Sequence, residues 1–369
     1  MPKSIVSQKY RFVAGVDTHA HTHHLTLLNN LGVVVGQREF KVLPHHMEKA
    51  IDWVVKKTDG DVRFAVEGTS SYGETFTVIL QNRNIAVCEV KPPRTKSRGQ
   101  AGKTDDIDSL RAARDILAIE VDKLIIPKAQ GMRKVFRILL AARRNMTVQK
   151  VMDENALIAL LRTNSLTEAL IINFGLRSIQ TIAKWPVQPD KEIEIEKSIA
   201  RIEAKRLAQN ILLRHASLRQ NEKQLSLAVN IFAPSLLNLP GFGPITSAQV
   251  LCSYSHRGRF RNASAFACLA GTTPLQASSG QVKRHRLSRY GDRALNCALN
   301  TIIMTRMRLH EQTKEYIEKC TAKGKSKREI RRSLKRYLAR SVFKHLEQLD
   351  LNGDCVIGEG LHVQRPLQT

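Results

Sequence analysis

Short apolar runs, each closed by a polar residue or a turn former, fill the first third of the chain. Residues 12–16 are such a run and end at Asp17. Residues 25–28 and 33–40 are two more, with Asn29, Asn30 and Gly32 between them. Runs of this length bounded by turn residues predict buried strands, the last two joined by a hairpin. Residues 45–57 repeat their apolar positions with helical spacing, and residues 62–66 return to a strand pattern that closes on Glu67. Residues 70–82 read as helix and 85–90 as a fifth strand. Thr104 is a good helix N-cap, acids follow it, and Leu110, Ala113, Ile116 and Leu117 give the apolar face of a further helix. The order β-β-β-α-β-α-β-α predicts a mixed sheet with helices packed on it, an α/β fold.

Farther along, the period changes to that of helices. Val135, Ile138, Leu139 and Ala142 fit it, as do Ile195, Ile199 and Ile202, while Ile211, Leu218 and Leu225 recur every seven residues. Trp185, Pro186 and Pro189 interrupt the region. It predicts an antiparallel helical hairpin or coiled coil, a spacer and dimerisation arm; the plainer alternative is an ordinary helical domain. Residues 323–340 form a basic helix tethered by Leu334, Tyr337, Leu338 and Val342. Its Lys327, Arg331 and Arg332 suit contact with a nucleic-acid backbone, blind to sequence. Residues 1–11 read as a loosely ordered basic arm, and those beyond 350 as a loose end.

Charge sharpens this picture. With 59 Lys+Arg against 33 Asp+Glu the formal net charge is +26. A polyanion, nucleic acid above all, is the natural partner. The basic residues lie in several separate tracts rather than on one amphipathic anchor, and no apolar run is long enough to span a bilayer, which argues against a membrane role. Cys88, Cys252, Cys268, Cys297, Cys320 and Cys355 form no Cys-x-x-Cys pair, as expected for buried thiols in a reducing cytoplasm rather than disulfides or a zinc site.

The candidate chemistry starts with acids. Asp105 and Asp108 are three apart at a helix start and project from one side. Side-by-side carboxylates repel unless a cation lies between them, and Mg²⁺ does this while keeping ligand places for water or phosphate. A charged first turn favoured by the helix dipole is the bland alternative. Asp17 and Glu67 stand at the ends of predicted strands, and strand ends on one sheet edge converge, so the four acids point to a carboxylate cluster. Between them, residues 91–98 form a proline-rich basic stretch in which Arg94 and Lys96, with Arg98 and the nearby Lys103, suit an exposed phosphate-touching loop or a solvated linker. His19, His21, His23 and His24 read as a hydrated turn between strands rather than as ligands. In residues 236–244, Gly241 and Gly243 follow the apolar-Pro-Gly-x-Gly pattern of a helix-hairpin-helix-like turn, where glycine lets backbone N–H groups approach a phosphate. Residues 271–286 present Ser278 and Ser279 amid small residues, followed by Lys283, Arg284, Arg286, Arg289 and Arg293. Cations there would stabilise an attacked phosphate, or the loop only grips one.

Taken together, Gly15 to His19, Val66 to Gly73, Gly102 to Asp108, Leu239 to Pro244 and Thr273 to Arg286 with Gly291-Asp292-Arg293 resemble the DEDD transposases of insertion sequence family one-ten, relatives of the pilin-gene inverting recombinase. The resemblance implies a RuvC-like (RNase H fold) catalytic domain over residues 1–128, a helical or coiled-coil linker over 129–232, a mainly helical transposase domain over 233–350 and a flexible tail over 351–369. It implies Mg²⁺, with Mn²⁺ as substitute, at a two-metal site formed by Asp17, Glu67, Asp105 and Asp108, and a nucleophilic Ser279. It also implies double-stranded DNA and a structured guide RNA as partners, a homodimer or homotetramer, and a bacterial cytoplasm with the nucleoid as the place of work. A RuvC-like junction nuclease using the acids alone, or a non-catalytic nucleic-acid-binding relative, are the alternatives.

Overall fold

The structure, a computed structural model, describes residues 4–91, 105–128, 131–166, 174–186, 195–273, 275–276, 285–286 and 291–349, with the backbone alone at 105, 106, 275, 276, 285 and 286. The chain forms two compact units, Met1–Lys128 and Ala129–Thr369.

In the first unit α1 (Val6–Lys9) precedes β1 (Phe12–Thr18), β2 (Thr22–Asn29), β3 (Val34–Lys41), α2 (Pro44–Thr58), β4 (Val62–Glu67), α3 (Glu74–Asn82), β5 (Val87–Val90) and α4 (Asp105–Leu117). The sheet order is β3-β2-β1-β4-β5. β1 runs antiparallel to β2 and parallel to β4, and β5 parallel to β4. This mixed five-stranded sheet with helices is the RNase H-like arrangement that the resemblance implies.

The two-residue period of the strands assigns every side chain to a face. On one face lie Ala14, Val16, Leu25, Leu27, Phe64 and Val66, covered by Met47, Ile51 and Val54 of α2 and Phe76 and Leu80 of α3. On the other lie Val13, Leu28, Ala65 and Cys88, covered by Ala112, Ala113 and Ile116 of α4. Complete burial of each large side chain stabilises by about 1.5–3 kcal/mol. α4 can lie this close only because of Gly15: a Cβ there would stand 2.1 Å from the Ser109 carbonyl oxygen and 2.5 Å from the Ala113 nitrogen.

Two expectations need correction here. Residues 4–11 of the N-terminal arm are docked: Val6 is fully buried and its N–H donates to the Ile119 carbonyl at 2.9 Å. A lone buried valine among polar residues left no periodic signal. The histidine group is no simple hydrated turn, because His23 and His24 belong to β2. His23 is fully buried, edge-on to Phe40 and Phe76.

The second unit is mainly helical. α5 (Met132–Thr163), α6 (Leu176–Ala183) and α7 (Ile195–Phe232) are followed by α8 (Pro244–Tyr254), α9 (Ala263–Leu269), the short strands β6 (Leu275–Gln276) and β7 (His285–Arg286), and α10 (Arg293–Leu309), α11 (Glu311–Ala322) and α12 (Lys327–Gln348). α5 and α7 pack together as a long pair. Their packed side differs from the expected stripe. Ala200, Ala204, Ala208 and Ile211 are buried, whereas Ile195, Ile199 and Ile202 are exposed. Small residues let two helix backbones come close, and that contact outweighs a helical repeat of larger residues. At one end Phe136, Leu225 and Val229 join the core of α8 to α12; at the other Leu157, Leu161, Ile179 and Ile182 make a separate cluster with Ala204 to Ile211. In the main core Tyr254 packs on Phe260, Phe266 and Phe343, and its hydroxyl donates to Glu347. Burial and that carboxylate push its ionisation well above the usual tyrosine range.

Candidate active site

Asp17 and Glu67 follow from strand register. Val16 of β1 pairs with Val66 of the parallel β4, so the next residue on each strand is an acid, and both acids fall on the face covered by α4. Asp108 comes from the first turns of α4 on that same face. Both aspartates act on Glu67. Glu67 is pushed above its ordinary value first by burial and then by the negative charge of Asp17, with Asp108 adding to it and Arg111 opposing.

Sequence reading did not single out the groups that now neutralise these acids. Arg111 Nη1 donates to Asp108 Oδ1 at 3.0 Å, Nη2 lies 3.7 Å from Glu67 Oε2, and Nε lies 3.7 Å from Asp115 Oδ2. Nε and Nη2 are buried with no hydrogen-bond partner of their own, so the guanidinium is held by charge more than by directed bonds. The signal was present in the spacing, since Arg111 is three residues past Asp108 and four before Asp115. His19 lies across Asp17, its Nε2 3.1 Å from Oδ2.

A second set fixes the height of α4 over the sheet. Gly15 pairs with Thr26 and Asp17 with His24, so Thr26 and His24 face α4. Ser109, fully buried, meets both: its hydroxyl is 2.7 Å from Thr26 Oγ1 and 2.9 Å from His24 Nδ1. Gln37 Nε2 donates onward to Thr26 Oγ1 at 3.2 Å. This polar seam sets the rotation of the helix that carries Asp108.

The three acids offer carboxylate oxygens, which fit a hard divalent cation, with the His19 and His24 imidazoles beside them. As placed, no three His, Cys, Asp or Glu side chains among the described residues are grouped to hold a metal ion. Arg111 reaches both Glu67 and Asp108 instead. Asp105 is on α4, but its side chain lies outside the described residues, as do Arg94, Lys96, Arg98 and Lys103.

In the second unit the connection between β6 and β7 contains Ser278 and Ser279. These serines, with Lys283, Arg284 and Arg289 and the side chain of Arg286, lie outside the described residues. The feet of this stretch are fixed. Asp292 N–H donates to the Leu269 carbonyl at 2.7 Å, and a Cβ on Gly291 would meet that oxygen at 2.2 Å. Arg293, at the start of α10, is exposed. Gly241 has a positive φ of 79° and packs against α10, where a Cβ would stand 2.8 Å from the Ile302 carbonyl. Packing alone requires a glycine there, apart from any contact its backbone makes with nucleic acid. Gly243 is the open one, with nothing within 4 Å of a Cβ, and its N–H donates to Thr246 Oγ1. On α12 Lys327 and Arg332 are exposed and Arg331 is half-buried; Tyr337, expected to tether the helix, is exposed.

The family model described as Transposase, of the DEDD IS110 type, matches residues 14–165, from β1 through the acids. The model described as Transposase IS116/IS110/IS902 family matches residues 233–318, the turn, the serine stretch and α10. The chain belongs to the IS110 family of DEDD transposases. No curated protein matches it. Membership makes it a DNA transposase, an enzyme of insertion-sequence recombination that binds DNA, and it indicates dependence on a divalent metal ion. No helix of the described residues is long and apolar enough to cross a membrane.

The raised Glu67 in this transposase gives a pH prediction. The folded state holds that proton over a window just above the ordinary glutamate range, where the unfolded chain has already lost it. Its contribution to stability is therefore present at low pH and fades as pH rises through the folded value. In chelator, melting temperature against pH should fall across that window in the wild type and stay flatter in Glu67→Gln.

Proposed function

We propose that this transposase excises and inserts its element by Mg²⁺-dependent strand cleavage and rejoining. Asp17, Glu67, Asp105 and Asp108 would hold the ion, which Mn²⁺ could replace, and Ser279 would be the nucleophile. The observation that carries the acidic half is geometric: strand register sets Asp17 beside Glu67, and one guanidinium, Arg111, reaches both Glu67 and Asp108. A bound divalent ion would supply positive charge for the attacked phosphate. The Ser279 hydroxyl gives up its proton, an Oγ–P bond forms, the strand's P–O bond breaks, and the departing sugar oxygen takes up a proton. Reversal reseals a strand without a nucleotide cofactor, because the phosphodiester bond energy is kept in the adduct.

The net charge of +26 suits a protein that holds element ends, target DNA and a structured guide RNA as a homodimer or homotetramer. Arg94, Lys96, Arg98, Lys103, Gly241, Gly243, Lys283, Arg284, Arg286, Arg289, Arg293, Lys327, Arg331 and Arg332 are the proposed nucleic-acid contacts. Incubation with element-end DNA, flank-encoded RNA and Mg²⁺ should leave DNA covalently attached to the polypeptide at Ser279. Ser279→Ala should lose the adduct. If Ser279→Ala still cuts the strands fully and no adduct forms in the wild type, the enzyme is a hydrolytic junction nuclease instead.

A further inference from the structure

A group of half-buried cations gathers at the foot of the serine stretch. Arg331, Lys335 and Arg336 lie within two turns of α12. Lys335 Nζ donates to Asn296 Oδ1 at 3.3 Å, and Asn296 Nδ2 donates to the Ala270 carbonyl at 2.6 Å. Arg336 Nη1 donates to Thr273 Oγ1 at 3.1 Å. Arg331 Nε is buried without a hydrogen-bond partner. Among the described residues no Asp or Glu pairs with any of these three.

Such an arrangement works against the isolated fold. Burial holds the Lys335 ammonium below its usual range, and Arg331 and Arg332 push it the same way; burial and Arg340 do likewise for Arg336. Like charges brought near one another and partly shielded from water cost stability unless an anion joins them. A phosphate carries the charge and the oxygens that this group lacks, and guanidinium and ammonium donors suit it. The place matters as much as the charge. Ala270 and Thr273 come shortly before the stretch that carries Ser279; Asn296, itself bonded by Lys335, holds the first and Arg336 holds the second.

We infer that Arg331, Lys335 and Arg336 form a seat for one DNA phosphate at the foot of the serine stretch, separate from the exposed outer side of α12. The inference rests on the proposed serine chemistry for its catalytic consequence, though not for the binding itself. The seat holds the strand beside the loop that attacks it, whereas the outer side supplies general attraction.

The test uses the full chain with a short DNA duplex carrying the element end and a hairpin RNA of similar length. Lys335→Gln/Arg336→Gln keeps hydrogen-bonding side chains and removes two charges. At saturating DNA the rate of adduct formation should fall about 100-fold, as when a phosphate- or oxyanion-holding donor is lost. The slope of log affinity against log salt should drop by about 0.9, the value for one phosphate. Arg336→Lys should recover much of the rate, and Lys319→Gln, on α11, should change neither quantity. In the wild type and in Ser279→Ala alike, the duplex should protect Lys335 from an amine-acylating reagent, read by mass spectrometry. Absence of any wild-type adduct together with intact protection would remove the serine chemistry and leave the seat. Unchanged affinity and salt slope in the double variant would overturn the seat, as would protection of Lys335 by the RNA and not by the duplex; lost affinity with an unchanged rate at saturation would overturn its catalytic consequence. Melting curves of the double variant close to wild type exclude misfolding, and Lys335→Gln alone serves if they are not.

Discussion

Gly15→Val is expected to destroy the folded first unit. Even the first carbon of the new side chain would stand 2.1 Å from the Ser109 carbonyl and 2.5 Å from the Ala113 nitrogen, and both are backbone atoms that no rotamer change can move. α4 would have to lift from β1. That breaks the contacts of Ala112, Ala113 and Ile116 with Val13 and Ala65 and the Ser109 seam to Thr26 and His24. Overpacking of this kind costs about 3 kcal/mol or more, against a total domain stability of about 5–15 kcal/mol. The milder Gly15→Ala, at about 1–3 kcal/mol, should lower the melting temperature of the first unit by about 4–24 °C, taking about 4–8 °C per kcal/mol. Gly243→Ala is the contrast: nothing stands within 4 Å of a Cβ there, so only the poorer N-cap counts, at about 1 kcal/mol or less. Differential scanning calorimetry decides it, and a wild-type melt for Gly15→Ala would mean that α4 does not lie on β1 as described.

Arg111→Met is expected to separate two states of the acidic face. In chelator the variant leaves Glu67 and Asp108 without their shared cation. Breaking a buried pair costs about 3–5 kcal/mol, but a quarter of the Arg111 side chain still meets solvent. The loss should therefore be nearer about 2 kcal/mol. With Mg²⁺ most of that loss should be regained. A site stripped of its own guanidinium no longer has an internal competitor, so its affinity for the ion should rise about tenfold, equivalent to about 1.4 kcal/mol. Melting curves with and without Mg²⁺, and calorimetric titration of the ion into both proteins, read this directly. An equal response to Mg²⁺ in the two proteins would show that the guanidinium and the ion do not contest the same place.

The strands of the first unit and the positions of Asp17 and Glu67 were legible because a short apolar run, closed by an acid, stands out along the chain. Register then did the rest: once Val16 stands beside Val66, the two acids are neighbours. Arg111 and Ser109 were not legible in the same way. Their roles depend on how far α4 is rotated and how low it sits, and a bare glycine on a neighbouring strand sets that. The long helices were harder still. The apolar repeat of Ile195, Ile199 and Ile202 turned outward, while a row of alanines with little hydrophobic signal became the packed side.

The long pair α5–α7 is seated at one end in the core of the second unit and carries its own small core at the other. At 1.5 Å per residue α7, with 38 residues, extends about 57 Å. A helix of that reach behaves as a lever. A tilt of about 10° where Leu225 and Val229 are gripped would carry the distant tip through roughly 10 Å, so small repacking around α8 is converted there into a displacement about as wide as a helix.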